Sequence, residues 1–136
     1  MRARLALALM VLSAACWSQP RLFVHRVAMN FAPQSSQMPA EGAAVLAAML
    51  DDAKRECAQP AFANVVVEEV RLLPLGKTTS GPTPRTREVA AALRRASEAG
   101  LAPYEGSVSP DGERARRLGL KVDQVLVELT CAPRGA

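Results

Sequence analysis

Asn64 to Leu101 reads NVVVEEVRLLPLGKTTSGPTPRTREVAAALRRASEAGL, and this run decides the fold. It opens as a strand, Asn64 to Leu73, rich in the β-branched valine that packs well on a pleated surface. Glu68 and Glu69 interrupt the apolar character and mark an edge, a bulge or the strand's outer face. Pro74-Leu-Gly-Lys-Thr-Thr-Ser-Gly-Pro82 then supplies turn chemistry. Thr83 can cap a helix, and Pro84 suits its first position, where a missing N–H costs nothing. Val89, Ala92, Leu93 and Ala96 recur at helical spacing as a buried stripe, and Gly100 is a natural stop.

Working outward, Leu22 to Phe31 reads as an earlier strand. Phe23, His25, Val27, Met29 and Phe31 share one face at period two. A polar connector from Pro33 to Pro39 leads into a helix that should start near Pro39 and run to about Cys57. Val45, Leu46, Met49, Leu50, Ala53 and Cys57 form its apolar stripe, with Asp51, Asp52, Lys54 and Arg55 facing solvent. Downstream, Ala102 to Val108 reads as a third strand and Ser109-Pro-Asp-Gly112 as a turn. Glu113 to Leu118 has room for one or two helical turns, and Gln124 to Cys131 is a last strand with Val125, Val127 and Leu129 on one face. The order β-α-β-α-β-(α)-β predicts an α+β domain, a two-layer α/β sandwich with helices on one face of a mixed sheet.

The first sixteen residues carry an address. Met1-Arg-Ala-Arg4 is a positive n-region, Leu5 to Leu12 an apolar run, and Ser13-Ala14-Ala15 a small-residue cleavage site just before Cys16. The apolar run is too short to cross a bilayer as a helix, which takes about 20 residues. Residues 1–15 therefore read as a signal peptide, 16–21 as an N-terminal tether and 22–132 as a single domain. Small residues followed by Cys resemble the bacterial lipobox, although Ser13 stands where that pattern has a large aliphatic residue. Lipidation of Cys16 leaves the even pair Cys57 and Cys131, as suits an oxidising compartment, whereas ordinary cleavage after Ala15 or slightly later leaves a soluble secreted protein with an odd thiol. The expected location is the periplasm, anchored at the outer membrane, since no acidic retention signal follows Trp17. Cys57 ends a helix and Cys131 ends a strand, so the pair can form a disulfide in a two-layer sandwich or remain as two buried thiols.

Composition excludes several functions. The chain carries 17 basic and 13 acidic residues; loss of Arg2 and Arg4 with the signal leaves 15 against 13, too mild for nucleic acid. Five aromatics provide no stacking platform. The only histidine, His25, lies on a patterned strand face, as a structural or edge residue would. One His and two remaining Cys do not make a zinc site, and no nucleophile–base motif is present. Neither catalysis nor a cofactor is expected. The one candidate ligand site is the loop Lys77, Thr78 and Thr79 with Arg85 and Arg87. There a helix start and two guanidinium groups would attract a carboxylate or phosphate, or else form ordinary turn chemistry and a solvated helix face.

Residues 22–132 also resemble OmpA-like, peptidoglycan-associating domains. Met29-Asn-Phe31, Ser35-Ser36 and Met38-Pro-Ala-Glu-Gly42 resemble that family's first strand and the Leu-x-Pro-x-Gly entry to its helix. Gly76-Lys-Thr-Thr79 followed by Ser80-Gly81 stands where the family has Gly-His-Thr-Asp and then Gly. Arg85, Val89 and Leu93 keep its helix spacing, and Val127-Glu128-Leu129 resembles its final strand. The resemblance implies association with peptidoglycan, the family's Asp and Arg gripping the two charged ends of diaminopimelate. Thr79 replaces that Asp, so the pocket is expected to prefer a carboxylate over a zwitterion. The alternative is a structural or assembly protein that binds an envelope protein through an exposed sheet face bearing Arg26, Glu69, Arg71 and Glu128. A local resemblance of Glu69 to Tyr104 to the first half of small ferredoxin-like thiamine-binding proteins implies a ligand binder of that type.

Overall fold

The computed structural model describes residues 22–58, 64–97 and 100–134. The predicted signal peptide 1–15, Cys16 and the tether 16–21 lie outside the described residues. Eight elements follow in order: β1 (Phe23–Asn30), α1 (Gly42–Glu56), β2 (Asn64–Val70), β3 (Thr79–Ser80), α2 (Pro84–Ala96), β4 (Tyr104–Val108), α3 (Glu113–Arg117) and β5 (Gln124–Cys131). They build the expected α+β sandwich on a mixed sheet of order β1-β5-β2-β4-β3. The last strand, β5, inserts antiparallel between β1 and β2. The β2–β4 pair is parallel and so needs a crossover rather than a tight turn, which α2 provides.

Alternation along the strands sorts side chains between two cores. Val125, Val127, Leu129 and Cys131 of β5 meet Leu46, Leu50 and Ala53 of α1 and Val89 and Leu93 of α2 in the main core. Leu126, one residue out of phase, joins Val70, Val108, Ala115 and Leu120 in a smaller core. The two long helices therefore cover one face, and the short α3 covers one end of the other.

Several boundaries differ from the reading of the sequence. Helix α1 begins at Gly42, three residues after Pro39, whose carbonyl instead closes a turn onto the Gly42 N–H at 2.9 Å. A Cβ at Gly42 would lie 2.6 Å from Met38 Cγ and 3.3 Å from Met29 Sδ, so glycine lets the connector pack against β1. Helix α2 ends at Ala96, which is exposed, and Gly100 takes a left-handed φ of 63° beyond it. The strand Asn64–Leu73 stops at Val70, and Thr79–Ser80, read as loop, forms a second edge strand against β4. Glu68 and Glu69 mark neither edge nor bulge, because β2 is the middle strand and its register with β5 is unbroken. Since β1 and α1 are integral to this sheet and its main core, the local thiamine-binder likeness does not extend to the architecture.

Cys57 and Cys131 form a disulfide, with Cα atoms 5.6 Å apart and a sequence separation of 74. The chain beyond β5 secures the same corner: Arg134 donates from its backbone to Glu56 O, from Nε to Cys57 O and from Nη2 to Lys54 O. A guanidinium on the last carbonyls of α1 satisfies groups the helix leaves open and favours its negative end. His25 of edge strand β1 belongs here too, its Nε2 lying 3.0 Å from Glu56 Oε2 and its ring against Phe23.

Candidate functional site

The strands place a cleft of about 400 Å³ at the end of the sheet where β2 finishes and α2 starts; Ser35, Glu69, Arg71, Thr83, Arg85 and Asp123 contribute to its lining. Each comes from a different local logic. Val65, Val67 and Glu69 alternate onto the helix side of β2, so Glu69 is a carboxylate in a position the pattern reserves for an apolar side chain. Thr83 caps α2 and Pro84 opens it, as the sequence predicts. Thr83 Oγ1 accepts from the Thr86 N–H at 3.1 Å, and Thr86 Oγ1 from the Thr83 N–H at 2.9 Å. This reciprocal cap already satisfies the Thr86 N–H that an anion at the helix start would otherwise use.

Arg85 follows in the first turn and is only 8 % exposed. A buried guanidinium persists only where acceptors surround it, and four do. Arg85 donates from Nε to Ser35 O at 2.6 Å and from Nη2 to Ala32 O at 3.0 Å. Its Nη1 donates to Asp123 Oδ1 at 2.8 Å and to Glu69 Oε1 at 3.3 Å. The Phe31 ring centroid lies 5.2 Å from its central carbon, a cation–π contact. Arg85 thus joins the connector after β1, the body of β2, the start of α2 and the turn before β5.

The other candidate residues are distributed differently. Lys77 and Thr78 are exposed in the β2–β3 loop, where the Lys77 N–H closes a turn on Pro74 O and Thr78 O accepts from Ser109 N. Thr79 pairs directly with Val108, a member of the core beneath α3, so position 79 faces the side of the sheet opposite α2. Arg87 is exposed on α2. Of the five, Arg85 alone contributes to the cleft lining.

Four residues that the sequence reading did not assign to this site complete it: Ser35, Glu69, Arg71 and Asp123. Glu69 and Arg71 therefore do not line the open sheet face; they belong to the cleft, while Arg26 and Glu128 do face outward and pair at 2.8 Å. A signal for Glu69 existed, since a carboxylate in phase with Val65 and Val67 implies a buried cation opposite it. Although Thr79 replaces the family's Asp, acidic side chains do lie beside Arg85. Two carboxylates, Glu69 and Asp123, and two guanidinium groups, Arg71 and Arg85, line the cleft, which is thus charge-balanced, and both carboxylates pair with Arg85. Gln34 and Asp123 are the only non-glycine residues at left-handed φ among those described, at 61° and 69°, and both border the cleft. Such conformations cost of order 1–3 kcal/mol and cluster at binding sites.

On the opposite face, Glu128 accepts from both Arg26 and Arg114, and Arg114 also reaches Glu68 at 3.2 Å. Burial alone would raise the Glu128 pKa; hydrogen bonds and charge from Arg26 and Arg114 together outweigh it and hold the carboxyl below its ordinary value. Among the described residues no cluster of three metal-ligating side chains occurs, and no helix is long and apolar enough to cross a membrane.

No protein-family model and no curated protein matches the chain. Among solved structures, the chain is similar to the OmpA-like domain of FopA1 from Francisella tularensis subsp. tularensis SCHU S4. Identity is 14 %, the alignment covers 85 % of this chain and 77 % of that one, and the TM-score is 0.53. At that identity the likeness is one of architecture: the chain has a distant OmpA-like fold.

Proposed function

We propose that this chain is an exported bacterial envelope protein, anchored at the outer membrane through lipidated Cys16, whose domain associates with peptidoglycan. The observation that carries the reading is the charge-balanced cleft at the start of α2, set in an OmpA-like fold. Both signs of charge sit in one opening, so the ligand it fits best has an ammonium and a carboxylate close together. The free end of a diaminopimelate side chain in a stem peptide has that form. The ordered n-region, apolar run and small-residue site before Cys16 support export. Co-sedimentation of the Cys16→Ser mature protein with purified sacculi tests the proposal, with free meso-diaminopimelate as competitor. Binding that the competitor reduces supports it; a protein that stays in the supernatant overturns it.

One observation favours a second reading, an assembly role through a protein partner. On the sheet face that α3 leaves bare, Val24 is 43 % and Tyr104 62 % exposed, beside the Arg26–Glu128–Arg114 row. Site-specific photo-crosslinking from position 104 in intact cells would trap such a partner, and no adduct would remove this reading.

A further inference from the structure

We infer that Arg71 and Asp123 are the ligand-contacting pair of the cleft, and that Arg85 is an internal post holding the cleft's walls. The inference rests on the reading that this cleft is the binding site, and it assigns the roles within it. An OmpA-like arrangement would give the carboxylate of the ligand to the helix arginine, but the geometry here points elsewhere.

All three nitrogens of Arg85 already donate, to two carboxylates and two backbone carbonyls, and the side chain is buried. A ligand carboxylate that displaced Glu69 or either carbonyl would leave a buried group unpaired, and a single Nη2 N–H is all that these bonds leave over. Arg71 differs in each respect. It lines the same cleft, is half-buried, and makes one long side-chain bond, from Nη2 to Ser80 Oγ at 3.3 Å. Its Nε is buried without a partner among the described residues. That nitrogen is closed off, so the outer end of the guanidinium, Nη1 with the weakly bonded Nη2, is what remains to take a carboxylate with two parallel bonds.

Asp123 is the corresponding acidic group. Its Oδ1 accepts from Arg85, its Oδ2 has no partner among the described residues, and its side chain is 36 % exposed. Glu69, by contrast, is sealed beneath Arg85 at 9 % side-chain exposure. Asp123 is held in a left-handed conformation by the turn before β5, where its carbonyl accepts from Phe31 N at 2.8 Å. The chemistry recognised is therefore an α-amino-acid terminus: ammonium to Asp123 Oδ2, carboxylate to Arg71.

Two substitutions test the roles with little disturbance to the fold: Arg71→Ala, and Asp123→Asn, which keeps an acceptor for Arg85 and tolerates the backbone conformation. The probe is meso-diaminopimelate, titrated by NMR into the Cys16→Ser protein, with co-sedimentation on sacculi in parallel. Each variant should weaken diaminopimelate binding about tenfold or more, as loss of a charged hydrogen bond does, with melting within about 2 °C of the parent. Binding within about twofold of the parent in Arg71→Ala overturns the assignment. If that variant also sediments like the parent, the peptidoglycan reading stands without it. Arg71-dependent binding of free diaminopimelate without sedimentation upholds the assignment and removes the peptidoglycan reading. No response of the parent to either probe removes both.

Discussion

Replacing Arg85 by Met separates a structural from a ligand-binding role for the most heavily bonded side chain of the cleft. Methionine keeps much of the apolar stem of Arg85, so the cavity contribution is small, although the cation–π contact with Phe31 goes with the guanidinium. What is lost is charge and four acceptor partners. Asp123 is exposed enough to return to water at little cost, but Glu69, with 9 % side-chain exposure, is left as a buried carboxylate without its cation. Removing one member of such a pair costs about 3–5 kcal/mol, against a total stability of about 5–15 kcal/mol for a domain. The variant should thus unfold at markedly lower urea, with the m-value unchanged. Arg85→Met combined with Glu69→Leu removes the stranded charge and should recover at least half of the loss, because a buried pair replaced by apolar groups is often near neutral. Urea titrations followed by circular dichroism on the parent, both single variants and the double variant close the cycle. A loss below about 1 kcal/mol in the single variant, or a double variant as unstable as the sum of the singles, would refute the post role.

Replacing both Cys57 and Cys131 by Ser should lower stability by up to about 4–5 kcal/mol, the chain-entropy value for a loop closed over this separation. Urea midpoints with and without reductant check this, and two reactive thiols in the denatured, unreduced protein would show the bridge unformed in solution. The folded-state pKa of Glu128 lies below its ordinary 4.5, so its contribution is fully present above that pH and fades as pH falls through the folded value. Glu128→Gln should accordingly flatten the acid limb of the stability curve below about pH 4.5 without steepening it at neutral pH; an unchanged acid limb would count against the Arg26–Glu128–Arg114 row. Intact-mass measurement of envelope protein should show residues 1–15 lost and a fatty-acyl mass on the new N-terminus; an acyl label that survives Cys16→Ser would dismiss the anchor.

The elements could be read from the sequence because each carries its own period. Val125, Val127 and Leu129 alternate as a strand, Leu46, Met49, Leu50 and Ala53 repeat as a helix, and Thr83-Pro84 starts α2 where predicted. Local chemistry fails where a partner lies far along the chain. Thr79 and Ser80 have no strand pattern and become β3 only because β4 offers an edge. Arg85 was recognised by type and spacing, yet its partners sit 16, 38, 50 and 53 residues away. Two of those four are backbone carbonyls, for which no side-chain identity exists to be read. Glu69 was visible as an anomaly in a valine strand, and burial resolved that anomaly into a counter-charge. Asp123 was invisible, since its role follows from a turn that the sequence marks only as Val122-Asp123-Gln124.

The placement of the two ends of the sheet joins the address to the site. Phe23 lies opposite Cys131 and Asn30 opposite Gln124, so the described chain starts beside the disulfide, while the cleft residues Ser35 and Asp123 lie past the other end of the same strand pair. The seven steps from Phe23 to Asn30 separate these ends by about 24 Å at 3.4 Å per residue. A lipid on Cys16 would hold the disulfide end toward the bilayer and leave the cleft looking away from it, toward whatever lies across the aqueous space. The end with the Cys57–Cys131 bridge, the Arg134 cap and the His25–Glu56 contact would then be the anchored one. The end that carries strained Gln34 and Asp123 and the half-satisfied Arg71 would be the one presented. In the proposed reading, a cross-linked anchored end and unspent hydrogen bonds at the far end would suit a protein that holds a fixed ligand from a fluid membrane.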